Sequence, residues 1–440
     1  MAKIVPIRGV RYSTAKAGQM ADLITPPYDV INDEEQKRYY EKNPFNVIRL
    51  EYGESREPDS KDDNRYTRAA GFFSHWLQQE ILTHEDKPSI YLYQQEFTVA
   101  GRRMTRSGFI TGVGVEEYEN GMILPHEETL SKAKLDRLEL LRHCHANFSP
   151  IFGLYDDATQ TVEAISARYI AHDPTIAFTS ENGEEHRLWS VNDDHDVATI
   201  TKLFSQQKIY IADGHHRYET ALTFHKEMSA QGDHRFAFCL MTLVNLSDPG
   251  LVIFPTHRLL KNIHNFHGDD FLANLSQDFT IKTFDLPKAN RAEALTAELK
   301  KLASLMQKQN AFLLYLGGEQ IYRLTISNER ENRLMANRHG NYSAAWRSLD
   351  VAVLQSLILE ELLGIDKEAR ASGTHLTYTR DEAKALEQVE RGEYQAVFFL
   401  NPTQVHEVTA VAAAGDKMPQ KSTFFYPKLI TGLVINDFSV

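Results

Sequence analysis

The segment Ile209-Tyr210-Ile211-Ala212-Asp213-Gly214-His215-His216-Arg217 specifies the local structure of the region around it. Its apolar run ends abruptly at Asp213-Gly214, and the next apolar residues, Tyr218, Ala221 and Leu222, recur at helical spacing. Glycine favours a sharp change of chain direction, because it adopts backbone conformations that other residues avoid. The pattern therefore predicts a strand, a tight loop and a helix.

The loop between that strand and helix combines an acid, a glycine, two imidazoles and a guanidinium. Backbone N–H groups at a helix start lack intrahelical partners, glycine lets an anion approach the main chain, and arginine can donate two hydrogen bonds to phosphate. These features predict a phosphate-binding site at Gly214, His215, His216 and Arg217, with Asp213 beside it. The alternative is that Asp213 caps the helix and the histidines lie at the surface.

Length and composition indicate a folded protein of more than one domain. A chain of 440 residues exceeds one ordinary hydrophobic core, and 42% hydrophobic with 25% charged residues is usual for globular proteins. The formal net charge of -12 argues against a general binder of duplex DNA, because such binding needs Lys and Arg to neutralise phosphates. We therefore expect no nucleic-acid partner.

The sequence also lacks the patterns of secreted and membrane proteins. Its two cysteines, Cys144 and Cys239, form no disulfide framework, which suits a reducing compartment. The first residues lack the apolar segment of a signal peptide, and no apolar run approaches the roughly 18 residues of a membrane span. We expect a soluble cytoplasmic protein without a membrane partner.

Hydrophobic spacing outward from the loop predicts a mixture of helices and strands. The predicted elements are a loop at 25–30, a helix from Arg65, a hairpin within 89–117, a helix at 131–146, a strand at 236–243, a helix at 291–309, strands at 312–316 and 321–326, and a helix at 349–363. This mixture predicts an α+β (mixed α/β) multidomain fold. We expect an N-terminal α/β segment at 1–118, a catalytic core at 119–260 and a C-terminal α/β domain at 261–440.

A second polar cluster precedes the helix predicted at 131–146. Pro125-His126-Glu127-Glu128-Thr129 lies at the entrance of that helix, and Arg137 follows within it. A carboxylate beside basic groups at a helix entrance suits a general base, so Glu127 is a candidate catalytic residue. The alternative is a solvated, charged helix face with ordinary pairs four residues apart.

The third cluster is Gly415-Asp416-Lys417-Met418-Pro419-Gln420-Lys421-Ser422-Thr423. It is not a Walker A loop, because Gln420 occupies the place of the second glycine and the segment follows a helical stretch instead of preceding one. A helix end at Gly415 followed by a strand explains the pattern, while Lys421, Ser422 and Thr423 could also reach a charged ligand. Both interpretations stay open.

Gly214-His215-His216-Arg217 after an apolar strand resembles the signature loop of the ParB/sulfiredoxin superfamily, which binds nucleotide phosphates. The similarity is closest to its archaeal free serine kinases, which carry a Pro-His-Glu segment, an Asp-Gly-His-His-Arg loop and a Lys-Thr-Thr-like stretch in that order. This chain has Pro125-His126-Glu127, Asp213 to Arg217, and Lys421-Ser422-Thr423. The resemblance implies a ParB/sulfiredoxin-like core at 119–260, with an insertion between Glu127 and Asp213.

The resemblance also implies roles for these residues. Glu127 corresponds to the base that activates the serine hydroxyl, and the loop from Asp213 to Arg217 corresponds to the residues that bind nucleotide phosphates and metal. The predicted site comprises catalytic Glu127, His126 and Asp213; nucleotide-binding Gly214, His215, His216 and Arg217; and substrate-binding Lys421, Ser422, Thr423 and Arg137. No protein side chain is assigned as a metal ligand beyond a possible role for Asp213.

The whole chain is also similar to a large family of bacterial and archaeal proteins of unassigned function. The shared stretches are Thr25-Pro26-Pro27-Tyr28-Asp29-Val30, Asn43-Pro44-Phe45, Pro255-Thr256-His257-Arg258 and Met418-Pro419-Gln420-Lys421-Ser422-Thr423. Sulfiredoxins need a cysteine where this chain has His215, and ParB proteins carry Glu-Arg-Arg after the glycine. We therefore expect neither peroxiredoxin repair nor DNA partitioning.

We predict a nucleotide-dependent small-molecule kinase. It would use ATP or ADP with Mg²⁺ and a hydroxyl acceptor, of which free L-serine is the leading candidate, and its catalysis would rest on positioning and charge neutralisation. The alternatives are a nucleotide-hydrolysing or phosphatase-type enzyme and a non-catalytic nucleotide-sensing regulatory protein. Tyr28, Asp29, Asn46 and Arg49 either line the same cleft or form turns and surface pairs. The sequence does not determine the oligomeric state.

Overall fold

The computed structural model describes residues 2–129, 131–306 and 308–439. Strands and helices are numbered here in chain order. The strands are β1 Ile4–Val5, β2 Val10–Tyr12, β3 Leu82–His84, β4 Ile90–Val99, β5 Arg102–Gly114, β6 Ile123–Leu124, β7 Ala146–Asn147, β8 Ile151–Tyr155, β9 Ile176–Thr179, β10 Glu185–Val191, β11 Ile209–Asp213, β12 Phe238–Asn245, β13 Val252–Ile253, β14 His257–Leu260, β15 Thr280–Asp285, β16 Ala311–Tyr315, β17 Gln320–Thr325, β18 Leu376–Thr379, β19 Ala396–Phe399, β20 Phe425–Tyr426 and β21 Asn436–Asp437.

The helices account for most of the remaining regular structure. They are α1 Thr14–Ala17, α2 Met20–Leu23, α3 Asp33–Lys42, α4 Ile48–Glu51, α5 Arg65–Gln78, α6 Ser131–Cys144, α7 Thr161–Ile170, α8 Asp194–Phe204, α9 His215–Ser229, α10 Gly268–Leu275, α11 Arg291–Ala303, α12 Asn328–His339, α13 Ala344–Arg347, α14 Asp350–Val353, α15 Lys367–Ser372, α16 Glu382–Glu390 and α17 Val405–Ala413. Short 3₁₀ helices cover Tyr28–Val30, Tyr118–Asn120 and Lys288–Asn290, and a π-helix covers Leu354–Glu360. The predicted α+β class is confirmed.

The chain packs into two compact units. Unit 1 comprises Met1–Pro125, Thr129–Val252 and Pro427–Val440, and unit 2 comprises His126–Glu128 and Ile253–Tyr426. The boundary after Val252 lies near the one predicted at residue 260. The boundary predicted at residue 118 falls inside unit 1, because β5 and β12 pair across it in one sheet.

Unit 1 is built on a mixed sheet in which nine described strands pair. The strand order is β6-β11-β8-β12-β5-β4-β10-β9, and β1 pairs with the end of β5. β12 runs parallel to β8 and antiparallel to β5. The hairpin predicted within 89–117 is confirmed as β4 and β5, joined at Gly101, whose φ of 77° suits glycine.

Helices cover this sheet because their apolar faces match its buried side chains. Tyr218 and Ala221 of α9 join a core that includes Ile209, Ile211 and Met241 from neighbouring strands. Leu138 and Leu141 of α6 pack with Phe224 of α9 in a second cluster. The helices predicted from Arg65 and at 131–146 are confirmed as α5 and α6.

Unit 2 contains an antiparallel sheet with buried residues on both faces. Six described strands follow the order β15-β17-β16-β19-β14-β18. In β16, Phe312 and Leu314 join one hydrophobic core while Leu313 and Tyr315 join another, as expected for alternating side chains in a strand covered on both sides. The helix predicted at 291–309 ends earlier, at Ala303, where Ser304 N–H donates to carbonyls of the last turn.

The assignment of residues 119–260 to a ParB/sulfiredoxin-like core stays a prediction. Among the helices in the described part of the chain, none has both the length and the apolar character needed to span a lipid bilayer.

Candidate functional site

The loop predicted to carry chemistry lies between β11 and α9 of unit 1. Asp213 is the last residue of β11, Gly214 caps the helix with φ 93° and ψ 28°, and α9 begins at His215. The pairing of β11 with β8 is irregular between Ile211 and Asp213, so Asp213 faces Phe152. Glycine is needed at residue 214, because a left-handed conformation strains residues with a side chain. The predicted strand, loop and helix are confirmed.

Two cations hold the carboxylate of Asp213. Lys428 Nζ donates a hydrogen bond of 2.6 Å to Oδ1, and Arg217 Nη2 donates one of 2.8 Å to Oδ2. Burial alone would raise the pKa of Asp213. Lys428, Arg217 and, to a smaller extent, His215 lower it by more, so the pKa of this carboxyl lies well below its usual range. Asp213 is therefore an anion with two cations, and these three charges sum to +1.

Arg217 is fixed by two acceptors within unit 1. Its Nη1 donates to the carbonyl of Pro150 at 2.6 Å, while Nη2 donates to Asp213. A Cβ added at Gly214 would lie 2.9 Å from Nε and Nη2 of Arg217, so the guanidinium lies directly against this glycine. Glycine therefore provides both the turn and the space for Arg217.

The two histidines of the loop differ in exposure. His215 is buried, with 5% of its surface exposed, whereas His216 is half-buried. His215 is close enough to Asp213 to lower the pKa of that carboxyl. The nucleotide-binding roles of both histidines stay predictions.

Arg137, predicted to bind substrate, belongs to a buried ion-pair network in unit 1. Its guanidinium donates to Glu51 Oε1 at 3.2 Å and to Asp136 Oδ2 at 2.6 Å, and it lies 4.0 Å from the centre of the Tyr28 ring. Ser149 donates to Glu51 at 2.8 Å. Burial raises the pKa of Glu51, while Arg137 and Arg217 oppose that shift.

A cavity of about 40 Å³ connects this network with the loop, since Glu51, Arg137 and Arg217 all line it. Tyr28 is also near both arginines, and burial raises its pKa above the usual range although Arg137 opposes the shift. The stretch that contains Tyr28 and the Asp213 loop therefore contribute to one region of unit 1. Asp29 is exposed in the same 3₁₀ turn.

Asn46 and Arg49 make structural contacts. Asn46 is fully buried, and its amide nitrogen donates to the carbonyl of Asp22 at 2.8 Å. Arg49 donates to the carbonyls of Asn43 and Tyr40 at 2.9 and 2.8 Å. These contacts favour the second interpretation of the sequence, in which both residues stabilise turns.

His126 and Glu127 come together with the Lys421-Ser422-Thr423 motif in unit 2. The backbone N–H of Lys421 donates to Glu127 Oε1 at 2.9 Å, and Glu127 pairs with Met418 in a parallel β-bridge. His126 is fully buried, and its Nε2 lies 3.0 Å from Thr423 Oγ1, within hydrogen-bond distance. The carboxylate of Glu127 and the loop after α17 are therefore adjacent.

Side chains of this loop differ in their contacts. Lys421 is exposed and has φ 56°, an uncommon conformation for a residue other than glycine. Ser422 is buried, and its hydroxyl donates to the carbonyl of Pro419 at 2.5 Å. This contact fixes the Ser422 hydroxyl within the loop, and the substrate-binding roles of Lys421, Ser422 and Thr423 stay predictions.

Arg258 lies beside Glu127 and Lys421, and sequence reasoning did not single it out as a site residue. It is buried, with 4% exposed, and donates to the Lys421 carbonyl at 3.2 Å. Burial lowers its pKa to about 10, while Tyr378 and Glu127 act in the opposite direction. The stretch Pro255-Thr256-His257-Arg258, already noted in the sequence, was the available signal.

Lys428 and Glu51 were also missed by sequence reasoning. Lys428 follows Pro427 shortly after the predicted Lys421-Ser422-Thr423 motif, and Glu51 follows Arg49 within the same short helix. Neither Lys428 nor Glu51 belongs to one of the motifs that the sequence analysis identified. The loop from Asp213 to Arg217 belongs to unit 1, whereas Glu127 and Lys421 belong to unit 2.

A protein-family model matches most of the chain. The model described as Protein of unknown function (DUF1015) matches residues 4–352. No curated protein matches the chain.

Several solved structures are distantly similar to this chain. A free serine kinase in complex with AMP is 15% identical, with a TM-score of 0.32, over 69% of this chain and 84% of that chain. A conserved hypothetical protein from Pyrococcus furiosus is 14% identical, with a TM-score of 0.32, over 70% and 89%. SbnI with C-terminal truncation from Staphylococcus aureus is 11% identical, with a TM-score of 0.33, over 73% and 85%.

Proposed function

This chain belongs to the DUF1015 family, described as proteins of unknown function, and from its site residues we propose that it is a phosphotransferase. It transfers a phosphoryl group from ATP or ADP to a hydroxyl acceptor, and free L-serine is the first acceptor to test. The donor phosphates bind at the loop from Asp213 to Arg217 in unit 1. Glu127 of unit 2 is the general base.

The cationic environment of Asp213 is the observation that carries this proposal. Lys428 and Arg217 both contact its carboxylate, and α9 begins at His215, directly after Gly214. A helix start with excess positive charge attracts anions such as phosphates. Phosphoryl transfer needs such charge neutralisation more than it needs covalent chemistry.

Preorganisation of Arg217 supports the same conclusion. Its guanidinium is held by Asp213 and the Pro150 carbonyl, both of which are groups of the protein itself. Donors that are already oriented lose little entropy and need no reorganisation when negative charge develops. Arg217 can therefore stabilise a phosphoryl group from a fixed position.

Glu127 suits the role of a general base because its orientation is defined. The backbone N–H of Lys421 holds one carboxylate oxygen at 2.9 Å. A general base must lie within hydrogen-bond reach of the proton that it removes, so a fixed carboxylate is an advantage. Its assignment also rests on the resemblance of Pro125-His126-Glu127 to the kinase motif.

Magnesium fits this site as a companion of the nucleotide. Within the described residues, no group of three or more His, Cys, Asp or Glu side chains could hold an ion, and both oxygens of Asp213 already accept hydrogen bonds from cations. Proteins commonly bind Mg²⁺ through substrate phosphates with few protein ligands. When bound with the nucleotide, it supplies neutralisation of phosphate charge.

Phosphorus NMR of the purified protein tests the proposal. The protein is incubated with Mg²⁺ and either ATP or ADP, with and without L-serine. A new O-phosphoserine resonance that is lost in Glu127→Gln supports the kinase. Serine-independent release of phosphate would instead indicate a hydrolase, and nucleotide binding without any conversion would indicate a regulatory protein.

A further inference from the structure

The backbone around Lys428 is held in place by two buried polar side chains of the unit 1 sheet. Arg106 Nη2 donates to the carbonyl of Pro427 at 2.7 Å, and Gln95 Nε2 donates to the carbonyl of Lys428 at 3.1 Å. Gln95 and Arg106 lie directly opposite each other in the pairing of β4 with β5. Arg106 also donates to the Gln95 side chain.

Both of these side chains lie inside the protein. Gln95 and Arg106 are 1% and 2% exposed, and the Arg106 guanidinium lies 4.8 Å from the centre of the Phe152 ring. Arg106 Nη1 is buried and has no hydrogen-bond partner among the described residues. Burying an incompletely paired guanidinium costs free energy, so stability alone does not explain this residue.

These contacts determine where the Lys428 side chain can reach. With the carbonyls of Pro427 and Lys428 both fixed, Nζ lies 2.6 Å from Asp213 Oδ1. The Lys428 and Asp213 side chains are 13% and 17% exposed, so the pair is largely shielded but keeps some contact with solvent. Arg217 contacts the other oxygen of the same carboxylate.

We propose that Lys428 is a further phosphate-binding residue of the nucleotide site, and that Gln95 and Arg106 are its positioning residues. This inference rests on the proposed nucleotide binding at the Asp213 loop. Asp213 orients the two cations, and the bound phosphate receives hydrogen bonds from the ammonium of Lys428 and the guanidinium of Arg217. A lysine ammonium binds phosphate as a point charge. Its contribution therefore depends on being held close to the phosphate.

Calorimetric titration of the 440-residue protein with ADP and with adenosine tests this role. Lys428→Met should weaken ADP binding roughly tenfold, because a charge-assisted hydrogen bond is lost, and leave adenosine binding unchanged. Gln95→Leu should weaken ADP binding by a smaller factor, also without affecting adenosine. Lys428→Arg should retain most of the ADP affinity, because it keeps the charge.

Lys42→Met is the matched control. Lys42 is 16% exposed and pairs with Asp22 and Glu181 at 3.4 and 2.8 Å, so it resembles Lys428 in burial and pairing. Its replacement should change neither affinity. Equal loss of ADP and adenosine binding in Lys428→Met would reveal a purely structural ion pair and overturn the inference.

Two further results separate this inference from the proposed function. If the wild-type protein binds ADP and Lys428→Met binds it equally well, the inference fails while the proposed function stands. If the wild-type protein binds neither ADP nor adenosine, both fail.

Amine acetylation followed by mass spectrometry provides a measurement that needs no variant. Saturating ADP should protect Lys428 in the wild-type protein and leave the rate at Lys42 unchanged. If ADP binds and the acetylation rate of Lys428 does not change, the inference is overturned.

Discussion

The backbone N–H of Lys421 donates a hydrogen bond of 2.9 Å to Oε1 of Glu127, although the two residues lie 294 positions apart. Lys421 adopts a left-handed conformation at this point, with φ 56°. The loop after α17 therefore bends so that its main chain, and not only its side chains, contacts the carboxylate. The orientation of the Glu127 carboxylate therefore depends on the folding of unit 2.

Glu127→Gln should abolish turnover and leave nucleotide binding intact. The amide oxygen of glutamine can still accept the Lys421 N–H, so the local structure is expected to survive. Loss of a general base lowers the rate by roughly 100-fold or more. Phosphorus NMR measures turnover, and calorimetry measures ADP affinity.

Glu128→Gln is the control for that experiment. Glu128 is next in sequence, and its exposed pair with Lys367 at 3.0 Å contributes little to stability. Turnover of this variant should match that of the wild type. A Glu127→Gln enzyme of wild-type activity would exclude Glu127 as the base.

Gly214→Ala should reduce both stability and ADP affinity. Alanine at φ 93° is strained, at a cost of about 1–2 kcal/mol, and its Cβ would lie 2.9 Å from the Arg217 guanidinium. Displacement of Arg217 should weaken ADP binding roughly tenfold. Thermal unfolding and calorimetry measure the two effects.

Gly183→Ala separates backbone strain from displacement of Arg217. Gly183 has φ 77°, and a Cβ added at this glycine would have no described atom outside its chain neighbours within 4 Å. This variant should show a comparable loss of stability with unchanged ADP affinity. Equal ADP affinities in the two variants would argue against a role for Arg217 in phosphate binding.

Asp213→Asn should destabilise the protein at neutral pH. The substitution leaves Lys428 and Arg217 side by side without their carboxylate, and breaking such a buried pair costs about 3 kcal/mol. Chemical denaturation of the variant and the wild type gives the difference in free energy of unfolding.

The pH dependence of that difference follows from the low pKa of Asp213 in the folded protein. A depressed carboxyl pKa contributes stability that is fully present above the unfolded-state pKa of about 3.9 and is lost as the pH falls toward the folded-state pKa. The difference between wild type and Asp213→Asn should therefore be constant near neutral pH and shrink only below about pH 4. A decrease beginning near pH 7 would contradict this assignment.

Arg137→Met should be strongly destabilising. Arg137 is 5% exposed, and its removal leaves the buried Glu51 and the partly buried Asp136 without their shared cation, at a cost of about 3–5 kcal/mol. Arg142→Met on the same helix is the control, because Arg142 is 39% exposed and its pairs with Glu139 and Glu227 contribute at most about 1 kcal/mol. In urea denaturation, Arg137→Met should lose more free energy of unfolding than Arg142→Met. Similar losses in the two variants would show that the buried network is not stabilising.

Local elements of the fold were predictable because their causes are local. The apolar run of β11 and the spacing of Tyr218 and Ala221 indicated a strand and a helix, and Gly214 indicated the turn between them. The hairpin of β4 and β5 followed from alternation about Gly101 in the same way. Strand order was not predictable, because β8 and β12 pair in parallel across a long connection that no local pattern encodes.

In the candidate site, too, some contacts were predictable from the local sequence and others were not. The order of residues along the chain was enough to identify the chemical groups present, and it placed Asp213, Gly214 and Arg217 together because a helix start brings residues within one turn into contact. Folding of the complete chain was required to bring Lys428 to Asp213, across 215 positions, and to bury Arg137 between Glu51 and Asp136. Such contacts depend on the path of the chain through the sheet and on which charges its packing buries, and these are decided by the sum of distant interactions.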